Sequence, residues 1–206
     1  MTPDDAPTPD PGDAFELVQS LIESRQSVLP KRLFAPGPSP AQLEALLTLA
    51  AAAPDHGMLT PWRFVVVPPA QRHRLGEVFA LALRDRDPAA TSAQVDAARE
   101  KAHRAPLLMV AIARLGPRDP DIPPFERLVS LGAALQNLLL GAHALGFGAG
   151  LTSGQAMGSP RLAALCALQE GEAAVCCVNI GTADRRKPPS RVRPRPAEFT
   201  GELPPD

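Results

Sequence analysis

The stretch FERLVSLGAALQNLLLGAHALG, residues 125–146, decides the fold class. It holds no proline, is dense in helix-forming residues, and ends at Gly146, the residue type that best takes the left-handed position after a helix. Its apolar side chains do not keep to one stripe but cover most of the circumference, so the helix must be buried on most sides. In a chain of 206 residues this predicts packing against a sheet on one face and against another subunit on the other.

Around this helix, three short runs read as buried strands: WRFVVV at 62–67, bounded by Pro61 and Pro68, PLLMVAIARL from Pro106, and AAVCCVNIG at 173–181. Asp13 with Glu16 predicts a capped helix to about Ser24. Ser39, Pro40 and Gln42 predict a second helix to Ala53. Further helices are expected over about 71–86, 92–103 and from Ser159 and Pro160 to Leu168, with FGAGLTSG as a connecting loop. Helices and strands mix without regular alternation, so the expected class is α+β, a mixed sheet flanked by helices, with no internal repeat. Residues 1–12 carry four prolines, three aspartates and little to bury, and are expected to form a disordered leader. One domain over 13–200 and a tail over 201–206 complete the organisation.

A formal charge of −1 gives the chain no overall attraction to nucleic acid or anionic membrane, and the expected partner is a small molecule. Cys166, Cys176 and Cys177 make no zinc-ligand spacing and read as reduced core residues. The N-terminus lacks a basic region followed by an apolar one, and no run of about eighteen apolar residues occurs, so a cytoplasmic location is expected. Hydrolytic motifs are missing too: Ser153 lies in TSGQA and not in G-x-S-x-G, and the four histidines have no HExxH spacing. GFGAG follows a helix instead of opening one, the reverse of a phosphate cradle.

Three polar segments remain. In SRQSVLPKRL (24–33), Arg25 and Ser27 could grip a phosphate through guanidinium and hydroxyl donors. In APDHGMLTPWRF (53–64), His56 reads either as a base oriented by Asp55 or as a hydrogen-bonding loop residue, while Trp62 reads as core. The arginines of the last 26 residues, Arg191 among them, read as a solvated basic tail, a nucleic-acid arm or an anion site.

The order of these pieces carries more than any one of them. SRQSVLPKRL, APDHGMLTPWRF, the long helix ending ALGFGAGLTSG, the strand ending NIGT, and PPSRVRP together resemble the FMN-dependent nitroreductase family over roughly residues 14–195, and within it the small single-domain NAD(P)H nitroreductases. The resemblance implies a domain-exchanged homodimer with two FMN sites at the interface. By the same resemblance, Arg25, Gln26 and Ser27 match the segment on FMN phosphate and ribityl groups, and His56 a position reaching the flavin of the other subunit. Leu151, Thr152 and Ser153 match the loop lining the flavin, and Arg191 a basic residue on the phosphate. Where close relatives carry an aromatic and a basic residue, this chain has Leu151 and Thr152, so flavin contacts there must be apolar or backbone-made. The implied activity is ping-pong: hydride from NADH or NADPH onto flavin N5, then electrons to a nitro compound or quinone. No catalytic side chain and no metal is implied. The alternative is a non-enzymatic FMN-binding or storage module.

Overall fold

The computed structural model describes residues 10–119, 121–184 and 192–204. The leader expected over 1–12 lies outside the described residues up to residue 9. Its end is ordered differently from expectation: α1 (Pro11–Ser24) starts at Pro11, and the Asp10 carboxylate, not Asp13, accepts from the Gly12 N–H. Asp10 precedes a proline, the residue best suited to a first helical turn, and that pairing outcompetes the Asp13 box.

Among the described residues there are five strands where three were expected. These are β1 (Leu33–Phe34), β2 (Trp62–Val66), β3 (Leu107–Arg114), β4 (Gly148–Thr152) and β5 (Glu172–Ala183). The sheet order is β1-β5-β3-β2, with β4 also on β5. Every ladder between these strands is antiparallel, and a parallel element enters through the isolated bridge between Ser27 and Ala149. β4 is the strand that its glycines disguise as a loop.

Helices cover both faces, which explains why the central strands are apolar on both sides. Pleating sends Met109, Ala111 and Ala113 into one cluster with Trp62, Val178 and Ile180. There they meet Leu46 and Ala50 of α2 (Pro40–Ala51) and Leu131, Leu135 and Leu138 of α5 (Pro124–Ala144). Leu108, Val110 and Ile112 point the other way, onto Leu75 and Phe79 of α3 (Arg72–Arg86) and Leu162 of α6 (Pro160–Leu165). α4 (Ser92–Glu100) packs against α3 in this second layer. The adjacent Cys176 and Cys177 divide between the two layers, and all three cysteines are free and buried.

The predicted Ser39 cap and Gly146 terminus are present. Ser39 and Gln42 exchange their capping bonds at 3.2 and 2.9 Å, and Gly146 takes φ +84° after α5. One face of α5 is nevertheless bare: Phe125 and Val129 are 66% and 72% exposed, and none of α1 is buried. No helix of the described residues is long and apolar enough to cross a membrane.

An ion pair ties β2 to β5 across β3. Glu172 accepts from Arg63 Nε and Nη2 at 2.8 and 2.7 Å and from the Gln169 N–H at 3.0 Å. The Arg63 hydrogen bonds hold its carboxyl down at about 2, with the Gln169 amide adding to them against burial. A carboxyl lowered in the folded state contributes fully above its unfolded value and loses that contribution as pH falls toward the folded one. Glu172→Gln should therefore remove about 1–3 kcal/mol at neutral pH. It should also flatten the parent's loss of stability between about pH 5 and pH 2. Urea unfolding across that range checks it, and a variant with the parent's slope would refute the assignment.

Candidate functional site

Two of the sequence-predicted segments are fastened together by backbone. After α1 the chain extends, Val28 N–H donates to the Ala149 carbonyl at 2.8 Å, and Ser27 bridges the same residue. Gly150 makes this approach possible. A Cβ there would lie deep inside the contact distance of the Val28 carbonyl oxygen and 3.3 Å from its carbon. The glycines of β4 are thus a close-approach device bringing residues 25–28 beside 149–152.

Next to this junction is a cavity of about 710 Å³. Leu29 and Lys31 form one wall, Phe79, Leu83 and Arg86 of α3 with Lys101 and Arg104 another, and Thr152 to Met157 a third. Leu108, Cys177 and Asn179 line it from the sheet. Asn179, only 1% exposed, donates to Thr152 Oγ1 at 3.1 Å and to the Gly150 carbonyl at 3.3 Å, which fixes the end of β4. Ser153 Oγ donates to the Val175 carbonyl at 2.8 Å, so this hydroxyl is already committed within the chain.

Thr152 and Ser153 line the cavity, while Leu151, 41% exposed, does not. Gln26 and Ser27 sit at the junction, partly buried and exposed respectively. Arg25 is partly buried, and its Nε is a buried donor without a partner. Burial, and then the charge of Arg193, push its guanidinium below the ordinary value. Two like charges held near one another, with a donor unmet, form an arrangement completed by an anion. Arg191 lies outside the described residues, so Arg193 is the tail arginine the structure sets against Arg25. In the sequence it stood only among the tail arginines read as a possible anion site, two residues from Arg191 in PPSRVRP.

His56 does not line this cavity. It lies in the 3-10 turn His56–Met58, and its Nδ1 is 2.9 Å from Glu126 Oε2 at the start of α5. Asp55 is not its orienter: that carboxylate accepts from the Thr60 N–H at 2.5 Å and closes a loop in which Met58 and Thr60 hold positive φ. Trp62 is core, 6% exposed.

Lys31, Arg86, Lys101 and Arg104 were also missed, because they come from three separate places: the turn Pro30–Arg32, the end of α3, and the 3-10 turn Lys101–His103 with its cap Arg104. None has a side-chain hydrogen bond or ion pair among the described residues, and no carboxylate lines the cavity with them. Cys177 offers no nucleophile, since burial pushes its thiol up to about 12. Among the described residues no cluster of three His, Cys, Asp or Glu could hold a metal. The arrangement suits binding of a flat, partly apolar, anionic molecule, not acid–base or metal chemistry.

The Nitroreductase family model matches residues 22–182. A Haemophilus influenzae protein named "Putative NAD(P)H nitroreductase" is 31% identical over 163 residues, 79% of this chain and 86% of that protein. Among solved structures, a nitroreductase-like family protein from Bacillus cereus superposes with a TM-score of 0.76 at 23% identity, over 96% of this chain and 99% of that one. A nitroreductase with bound FMN from Desulfitobacterium hafniense gives 0.64 at 23% identity, over 89% and 97%.

Proposed function

Since this chain belongs to the nitroreductase family, we propose that it is an FMN-dependent oxidoreductase drawing electrons from NADH or NADPH. The observation that carries this reading is the unpartnered, buried Nε of Arg25 beside the charge of Arg193. A phosphate monoester there would satisfy the donor and neutralise the pair at once. Bound FMN would supply the two-electron chemistry, taking hydride at N5 and passing electrons in ping-pong order to a nitro compound, quinone or similar acceptor.

The chain's residues would hold and shield that group. Arg25, with Arg193 and Arg191, takes the phosphate. Gln26 and Ser27 meet the ribityl chain. Thr152 and Ser153 flank the ring, the two hydroxyls being held by Asn179 and the Val175 carbonyl so that backbone groups face the flavin. Leu29, Phe79 and Leu108 supply the apolar walls that exclude water. His56, its Nδ1 held by Glu126, keeps Nε2 for the flavin of a second subunit. The homodimer this requires is supported by the bare apolar faces: Phe15, Leu17 and Val18 of α1 with Phe125 and Val129 of α5.

The test is an anaerobic titration of FMN-loaded protein with NADH and with NADPH, alongside light scattering of the purified protein. A dimer that bleaches supports the reading. A yellow protein that does not bleach is a flavin-binding or storage module, and a protein colourless after incubation with FMN refutes the reading altogether. Arg25→Ala should weaken FMN binding by about 1–3 kcal/mol. Unchanged flavin affinity in that variant would remove the phosphate assignment.

A further inference from the structure

A second hollow, about 590 Å³, lies beside the first, and Lys31 and Arg104 line both. Two unpartnered cations therefore stand where the hollows meet. The outer hollow has an aromatic wall in Phe34, 51% exposed, together with Leu33 and Pro106. Glu100 is its carboxylate and His103 lies with Arg104 on its rim. Arg72 also reaches it, but that guanidinium is spent on the carbonyls of Val67, Ala102, Ala105 and Pro106 and adds no donor for a ligand.

Apolar wall, cation pair, apolar wall is the complement of a long molecule with flat ends and an anionic middle. A small acceptor would occupy one hollow and leave the junction uncompensated. Resting on the reading of the inner cavity as the flavin site, we propose that the two hollows form one trough for the dinucleotide hydride donor. Lys31 and Arg104 hold its pyrophosphate, the nicotinamide end enters the inner hollow, and the adenosine end lies against Phe34. Arginine matches adjacent phosphate oxygens with its planar fork, and lysine adds a mobile point charge, so the pair tolerates the donor's flexible centre.

ADP-ribose, which has the pyrophosphate and adenosine but no nicotinamide, isolates this contact. Calorimetric titration of the FMN-loaded protein with ADP-ribose should show binding that Lys31→Ala and Arg104→Ala each weaken about ten-fold, with adenosine alone unaffected. The KM for NADH should rise in step, Arg104→Lys should recover most of the loss, and FMN affinity should fall by less than ADP-ribose affinity does. A parallel titration with 2′-phospho-ADP-ribose separates the two donors, since the tighter fragment identifies the nucleotide. ADP-ribose binding equal in parent and variants would overturn the proposal, as would a loss of FMN affinity matching the loss of ADP-ribose. Should the protein take up no FMN, the flavin reading fails by itself, because ADP-ribose titration of the colourless protein still reports on Lys31 and Arg104.

Discussion

Replacing Arg72 with alanine should lower the free energy of unfolding by about 3–5 kcal/mol. Arg72 opens α3 and is 4% exposed. Its Nε donates to the Val67 carbonyl at 2.6 Å, Nη1 to Ala102 and Ala105 at 2.8 and 3.1 Å, and Nη2 to Pro106 at 3.0 Å. Those four carbonyls belong to the connections flanking β2 and β3, and each lacks its acceptor bond once the guanidinium is gone. Burial pushes the Arg72 guanidinium below its ordinary value, yet a side chain that begins so high stays charged, so the bonds remain charge-assisted. Arg72→Lys should recover only part of the loss, because one ammonium cannot reach four carbonyls placed around a planar fork. Urea unfolding measures both variants, and a loss below about 1 kcal/mol for the alanine variant would show that other donors replace the guanidinium. The same variant should loosen residues 101–106, which carry Lys101 and Arg104 into the cavity, so ligand affinity and stability should fall together.

What was legible in the sequence was what short-range chemistry dictates. Ser39 and Gln42 lie three residues apart and cap one turn, and Gly146 terminates the helix it follows. WRFVVV and PLLMVAIARL are strands because β-branched and aliphatic runs of that length have few other ways to be buried. β4 was not legible, because the glycines that suggest a loop are there to admit the Val28 backbone, about 120 residues earlier in the chain. The site divides in the same way. Arg25 to Ser27 and Thr152 to Ser153 were singled out through the order of their motifs, and the structure brings those segments together at Ala149. Lys31, Arg86, Lys101 and Arg104 were not found, since a cation without a partner is a fact of three-dimensional arrangement. His56 shows a third case. The residue was noticed, but the carboxylate beside it in sequence is engaged with Thr60, and its actual partner, Glu126, is contributed by another element.

Gly150→Ala tests the junction on which the site depends and should cost at least about ten-fold in flavin affinity. The added methyl meets backbone, not a side chain that can rotate away, so either β4 or the 25–28 segment must move. β4 is held by five register pairs to β5 and by the Asn179 bonds to Gly150 and Thr152. The segment after α1 is held more weakly, by the single Val28-to-Ala149 bond and the Ser27 bridge, so it is the part that yields. Its displacement would carry Arg25 and Ser27 away from Thr152 and Ser153, separating the phosphate grip from the ring pocket while leaving the sheet intact. The expected signature is therefore specific. Stability falls by only about 1–3 kcal/mol, FMN is lost on gel filtration, and the Val28 amide loses its protection from hydrogen exchange. If Gly150→Ala keeps its flavin with Val28 still protected, the two segments do not depend on this close approach. If instead the whole sheet exchanges freely, β4 is the weaker member, and the order of strengths is reversed.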